Sequence, residues 1–271
     1  MARRPAEGVA AGRLRYRYIL WFVLALLLGR KRDLGADAKG TLAALRPPPR
    51  LLGDEHIPPE GPFVLVANHY ERPGLKVWWG GMAMTVAIYD RRRTDRTLHW
   101  LMTSEWYNFR LGGLIPVPVW FLRWLFRRIA GVYSLVVVPR SPERAVGRAA
   151  AMRTILEVVA KERAPIGLFP EATGREVLIE AMPGTGLFLY SLGRRGVPVL
   201  PAGIYEDEGV LTVRFGPAFT IELPEGVAKA ERDALAREQV MAHIGRLLPR
   251  PMWGPYVLAI EQLLARSEHI A

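Results

Sequence analysis

Residues 63–69, F-V-L-V-A-N-H, join an unbroken apolar run to an asparagine and a histidine. A strand that is covered on both faces carries such a run, because neither face alternates with water. We therefore predict a buried strand at 63–67, with Asn68 and His69 at its end. Ligands of open α/β sheets gather outside the carboxyl ends of the strands, so His69 is a candidate site residue.

The same kind of pattern continues along the chain. Similar short apolar runs occur at 98–102, 135–138, 166–169, 197–202 and 210–215. Helical patterns lie between or after them, at 141–162, 183–195, 225–248 and 255–267. Strands that alternate with helices predict an α/β fold with a largely parallel central sheet flanked by helices, although they do not predict the strand order.

Composition limits the chemistry and the partners. The 271 residues include no cysteine, which excludes disulfides, cysteine zinc sites and a cysteine nucleophile. The net charge of +11 is compatible with nucleic acid or with an anionic membrane. Its excess lies in residues 1–32, where eight Arg and Lys face one Glu around an apolar run, and no nucleic-acid recognition motif is evident. We therefore expect a lipid bilayer as partner and no nucleic acid.

The apolar run at 18–28 would form a helix of roughly 16 Å, about half the thickness of a hydrocarbon core. Such a helix suits insertion into one leaflet, with Arg and Lys on both flanks. A secretory signal and a buried core helix are the alternatives, and Arg30-Lys31-Arg32 directly after the run argues against export. We expect residues 1–50 to anchor the protein to the cytoplasmic face of a membrane and residues 51–271 to form the α/β domain, with proline-rich 46–61 as a connector.

Four segments follow one another in a recognisable order: Asn-His at 68–69, Val-Pro-Arg at 138–140, Phe-Pro-Glu-Ala-Thr-Gly-Arg at 169–175 and Val-Pro-Val-Leu-Pro at 197–201. From about residue 62 to 215 the set resembles the glycerolipid acyltransferase family, typified by 1-acylglycerol-3-phosphate acyltransferase. The resemblance implies transfer of a fatty acyl group from acyl-CoA or acyl-carrier protein to a hydroxyl of a lysophospholipid or related acceptor. It implies no metal, and no cofactor beside the thioester cosubstrate.

The family motif is His, four residues and Asp, and it implies that His69 is the general base. Imidazole suits this role because its ordinary pKa of about 6.5 leaves it neutral near pH 7. The position of the aspartate is occupied by Gly74. Glu71 is the candidate that could orient the imidazole instead, and a simple pairing of Glu71 with Arg72 or solvent is the alternative.

The resemblance also implies a substrate-binding set, which consists of Asn68, Arg140, Glu171, Thr173 and Arg175. Arg140 and Arg175 match the cations that would bind an acceptor phosphate. The second motif departs from the family pattern, because Ala172 replaces a glycine and Gly174 delays the arginine by one place. These departures, together with Gly74, leave a second function open, that of a catalytically impaired lipid-binding homologue with the same fold.

Three further segments have less specific patterns. In 119–129, arginines four residues apart stand beside Trp120 and Trp124, which suits a helix on a bilayer surface as well as an ordinary amphipathic helix. The uncharged stretch 77–89 suits the core or the lining of an acyl-chain site. Residues 197–204 are expected to be structural.

Overall fold

The computed structural model describes residues 10–11, 16–93, 97–103, 110–111, 114–138 and 145–268. The α-helices in these ranges are α1 (Tyr16–Leu28), α2 (Leu34–Leu42), α3 (Trp78–Arg91), α4 (Val119–Tyr133), α5 (Ala145–Glu157), α6 (Thr185–Gly193), α7 (Lys229–Gly245) and α8 (Val257–Glu268). A π-helical turn, Val158–Glu162, continues α5, and short 3-10 helices lie at Asp54–His56, Arg250–Met252 and Gly254–Tyr256.

The strands are β1 (Ala10–Ala11), β2 (Leu45–Arg46), β3 (Arg50–Leu52), β4 (Val64–Ala67), β5 (His99–Met102), β6 (Arg110–Leu111), β7 (Ile115–Pro116), β8 (Val136–Val137), β9 (Ile166–Leu168), β10 (Val199–Asp207) and β11 (Val210–Phe215). Seven of them form one sheet in the order β3-β11-β10-β4-β9-β5-β8. β10, β4, β9, β5 and β8 run in one direction, and β11 and β3 run in the other. The sheet is therefore mixed but mostly parallel, as predicted.

Both faces of the sheet are covered, which explains the apolar run at its centre. Val64 and Val66 of β4 belong to a buried cluster shared with helices α5 to α8. Leu65 and Ala67 point to the opposite face, into a cluster shared with α3. Because successive side chains of a strand alternate between faces, every residue of β4 is removed from water.

The six predicted strands correspond to β4, β5, β8, β9, β10 and β11, and each predicted helix overlaps an observed one. The start of the helix predicted at 141–162 lies outside the described residues. The prediction that 46–61 is only a connector is wrong, because β3 lies within it and pairs with β11 at the sheet edge. A three-residue strand is too short to leave a periodic pattern, and the prolines around it indicate a loop. The predicted stretch 77–89 forms most of α3 and is largely core.

The N-terminal helices lie against the body. α1 packs on α4 through Ala25, Leu26 and Val132, and α2 packs on α3. Arg32 donates two hydrogen bonds to Asp37, which also accepts one from the Tyr133 hydroxyl at 2.8 Å, so the start of α2 is tied to the end of α4. Among the described helices none is long and apolar enough to cross a membrane. The division into 1–50 and 51–271 stays a prediction.

Candidate active site

His69 lies at the carboxyl end of β4, in the middle of the sheet, and the residue before it sets its position. The Asn68 side chain is buried and bonds the backbone of Ile204 in β10 twice, donating at 2.8 Å and accepting at 2.7 Å. An asparagine amide offers one donor and one acceptor group side by side. It therefore takes the place of backbone hydrogen bonds between β4 and β10 where β4 ends. Asn68, predicted to bind substrate, thus has a clear role in joining β4 to β10.

Glu171 follows β9 and holds the backbone of His69. Its Oε2 accepts a hydrogen bond from the His69 N–H at 2.5 Å, and its Oε1 accepts one from the Ile179 N–H at 2.8 Å. The side chain is 3% exposed. Burial raises the pKa of Glu171 to about 7, although the two N–H donors act in the opposite direction. Both carboxylate oxygens are therefore engaged with the protein backbone.

The His69 ring is partly buried, and its edge contacts aromatic residues. It meets Phe169 in a T-shaped arrangement with centroids 5.1 Å apart, and Phe169 stacks on Trp100 at 4.9 Å. Burial lowers the pKa of His69 below its ordinary value of 6.5, and the negative charge of Glu71 partly opposes this shift. The imidazole is consequently neutral near pH 7, which is the state that a general base requires.

The buried ring nitrogen of His69, Nδ1, has no hydrogen-bond partner among the described residues. The carboxylate of Glu71 lies nearby. A Cβ placed on Gly174 would be 2.9 Å from His69 Nδ1 and 3.1 Å from Glu71 Oε2, so both atoms lie beside this glycine. The other carboxylate oxygen of Glu71 pairs with Lys76. Glu71 is thus close to the imidazole without bonding it.

Gly174 is required for space rather than for backbone freedom. Its added Cβ would also come within 2.5 Å of Glu71 Cβ, a distance that real side chains do not reach. Two backbone hydrogen bonds hold residues 69–71 against residue 175. The Arg175 N–H donates to the His69 carbonyl at 3.0 Å, and the Glu71 N–H donates to the Arg175 carbonyl at 3.2 Å. Gly174, the residue that delays the arginine by one place, therefore allows the loop after β9 to pack against the turn after β4.

Gly74 stands in a tight turn. The Leu75 N–H bonds the Arg72 carbonyl at 3.0 Å, with Pro73 second and Gly74 third in the turn. Gly74 has φ +83°, a left-handed conformation that glycine adopts without strain. A Cβ at this position would lie 3.5 Å from Arg72 Nη1. Gly74, at the position where the resemblance implies an aspartate, thus meets a local backbone requirement.

Glu206 of β10 anchors the same turn, and sequence reasoning missed it. Its carboxylate pairs with the Arg72 guanidinium through both oxygens, with Nη2 to Oε1 at 2.5 Å, and it accepts a hydrogen bond from the Tyr70 hydroxyl at 3.0 Å. Tyr70 and Arg72 flank Glu71 in the sequence. The pairing of Arg72 with Glu206 excludes the simple Glu71–Arg72 pair that the sequence left open.

The remaining predicted site residues lie in the loop after β9 or outside the described residues. Arg175 is exposed and its Nη1 donates to the Gly174 carbonyl at 3.0 Å. Thr173 is partly buried. Arg140 lies outside the described residues. The structure therefore brings Asn68, His69 and Glu71 together with residues 171–175.

Ala172 adopts a left-handed backbone conformation with φ +52°. The Cβ of an L-residue is strained there, by about 1–2 kcal/mol. The glycine of the family pattern would avoid this strain, so the departure at Ala172 has a structural cost.

We expect Ala172→Gly to raise the free energy of unfolding by about 0.5–1 kcal/mol, since relief of the strain exceeds the added freedom of the unfolded chain. Urea unfolding of both proteins measures this difference. Ala150→Gly is the matched control, because Ala150 is exposed in α5 and glycine there should lower stability by about 1 kcal/mol. Equal losses in both variants would contradict the prediction.

Glu171 should also make stability depend on pH. Its pKa is about 7 in the folded protein and near its ordinary 4.5 when unfolded. Between these values the folded state keeps a proton that the unfolded state has released, so the free energy of unfolding falls as pH rises. Glu171→Gln cannot ionise. We expect the melting temperature of the wild type, relative to Glu171→Gln, to fall across this window and to level off above it; a constant difference would refute the raised pKa.

Among solved structures, this chain is similar to an acyltransferase. The 1-acyl-sn-glycerophosphate (LPA) acyltransferase PlsC from Thermotoga maritima is similar to this chain over 85% of this chain and 88% of that chain, with 17% sequence identity and a TM-score of 0.43. Neither a protein-family model nor a curated protein sequence matches.

Proposed function

We propose that this protein is a membrane-associated acyltransferase that moves a fatty acyl group from a thioester donor to a hydroxyl of a lysophospholipid or related acceptor. His69 is the general base. The observation that carries the proposal is a partly exposed imidazole at the carboxyl end of β4. The backbone N–H of His69 donates to Glu171, and burial keeps the ring neutral.

In this mechanism His69 takes the proton of the acceptor hydroxyl while the alcohol oxygen attacks the thioester carbonyl. The tetrahedral intermediate then expels the thiolate, which receives the proton from the imidazolium. The acyl group passes directly between the substrates, without a covalent enzyme intermediate. Because Nδ1 is the buried nitrogen, Nε2 is the one that meets the hydroxyl.

Glu71 is the orienting group of this proposal. When Nε2 accepts a proton, Nδ1 carries a hydrogen, and a buried N–H without an acceptor costs about 1–3 kcal/mol. The Glu71 carboxylate and Nδ1 both lie beside Gly174, so a small movement of the Glu71 side chain would supply the acceptor. The same carboxylate would stabilise the imidazolium. Lys76 pairs with the other oxygen of Glu71 and therefore competes with the imidazole for this carboxylate.

An acceptor phosphate would meet Arg175. This arginine is exposed, next to the backbone hydrogen bonds that join residues 69–71 to residue 175. It pairs with no carboxylate in the described part of the chain. Guanidinium groups bind phosphate through two parallel hydrogen bonds. Glu171 acts in this proposal as a positioning residue, since both of its oxygens bind backbone N–H groups.

Membrane association rests on the exposed face of α1. Trp21, Leu27 and Leu28 are 57%, 59% and 64% exposed, while Ala25 and Leu26 pack towards α4. An apolar face of this size on a short helix is suited to the headgroup and acyl-chain boundary of one leaflet. The lipid acceptor would then be reached from the bilayer.

The unpartnered Nδ1 of His69 favours one second candidate, a lipid-binding protein that retains the fold without turnover. Loss of the orienting carboxylate costs about 10⁴-fold in the serine-protease triad, which is the standard worked example of such a system. Purified protein would then contain bound lipid by mass spectrometry and release no CoA with any donor and acceptor.

We expect the purified protein to release CoA from an acyl-CoA in the presence of a lysophospholipid, and His69→Ala to abolish this release. The acid-side fall in rate due to His69 should lie at lower pH than for an ordinary histidine, because burial lowers the pKa of His69. His56→Ala is the control, since His56 is exposed in a 3-10 helix after β3. Equal rates in the wild type and His69→Ala would eliminate His69 as the base.

We expect Gly174→Ala to lower kcat by about 100-fold with little change in KM, the cost of a catalytic group displaced by about 1 Å. The added methyl group would crowd both Glu71 and His69 Nδ1 and would force one of them to shift. Gly131→Ala is the matched control, because a Cβ there meets nothing within 4 Å. A folded Gly174→Ala protein with full activity would show that this close approach has no catalytic role.

A further inference from the structure

One exposed stripe of α4 forms a groove of about 260 Å³, which we call the α4 groove. It is lined by Trp120, Arg123, Trp124, Arg127 and Arg128. These positions recur every three or four residues and so share one face of the helix. The opposite face is buried through Leu122, Ala130 and Val132. The groove is therefore an outward surface that core packing does not explain.

The α4 groove adjoins the apolar face of α1. The two helices pack together, and Arg128 Nη1 lies 3.1 Å from the position of a Cβ on Gly29, the residue after α1. Arg30 and Lys31 follow and are exposed. Cations therefore border an uncharged apolar surface where α1 ends.

Four of the cations on this surface have no carboxylate partner in the part of the chain that the structure describes. Arg127, Arg128, Arg30 and Lys31 are exposed and pair with no carboxylate among the described residues. Residues 16–32 and 119–133 contain no Asp or Glu at all. Clustered positive charges repel one another, so this surface favours an anionic partner.

The chemistry of the lining indicates which anion fits. Guanidinium groups match phosphate oxygens in a fixed fork geometry, which lysine does not. Trp120 and Trp124 are 70% and 43% exposed, and tryptophan is enriched where headgroups meet acyl chains. A soluble phosphate would account for the arginines alone, whereas a phospholipid also accounts for the tryptophans and for the exposed face of α1.

We propose that the α4 groove binds the phosphate of an anionic phospholipid, whose acyl chains lie against the exposed face of α1. Binding to the membrane then depends on anionic lipid and not only on apolar insertion. This inference rests on the proposed membrane association, and it names the lipid that the surface selects.

The test is cosedimentation of the full chain with vesicles of phosphatidylcholine alone and of equal parts phosphatidylcholine and phosphatidylglycerol. We expect the wild type to prefer the anionic vesicles and Arg127→Gln/Arg128→Gln to bind them about 30-fold more weakly, from roughly 1 kcal/mol for each cation near an anionic surface. Binding to pure phosphatidylcholine should not change. Arg127→Lys/Arg128→Lys, which keeps the charge, should lose part of the preference because its ammonium groups cannot fork.

The matched control is Arg194→Gln/Arg195→Gln, which removes the same charge from exposed positions just after α6, a helix that packs on α7. Equal weakening by both Gln pairs would show that only net charge matters and would overturn the proposal. The proposal would also be overturned if Arg127→Lys/Arg128→Lys bound anionic vesicles like the wild type, or if Arg127→Gln/Arg128→Gln lost equal affinity for both vesicle types. His69→Ala should bind vesicles like the wild type, so this experiment is independent of catalysis.

Discussion

The Glu171 carboxylate joins the turn after β4 to the turn after β9, and the geometry around His69 depends on it. One oxygen holds the backbone of His69 and the other holds Ile179. Burial of this carboxyl raises its pKa to about 7, although the two N–H donors favour its ionised form. A charged carboxylate without these two N–H donors would be costly at this position, so the donors and the carboxylate stabilise one another.

Two further side-chain contacts fix the segments around His69. Asn68 fastens the end of β4 to Ile204, and Glu206 fastens the turn that contains Arg72 and Gly74. His69 is therefore placed by side chains on both neighbouring strands, β9 and β10, while its ring remains partly exposed. Glu71 is less constrained, because its carboxylate pairs with Lys76 through one oxygen while the other lies near the imidazole.

The proposed catalytic and membrane functions use different parts of the chain. The residues around His69 lie in turns at the carboxyl ends of sheet strands, whereas the lipid surface lies on two helices that pack against each other, α1 and α4. Variants of one set should leave the other intact. This separation allows lipid binding and acyl transfer to be measured independently.

The sequence by itself determined the α/β class, six strands of the sheet and the segments that carry His69 and Glu171, because strands covered on both faces leave unbroken apolar runs. It did not determine β3, which is too short to leave a pattern. Only the tertiary structure decided that Glu171 holds the His69 backbone, that Gly174 packs against both Glu71 and Nδ1, and that Glu206 binds Arg72. Residues 69 and 171, like 72 and 206, are more than 100 positions apart, and such contacts follow from which strands become neighbours.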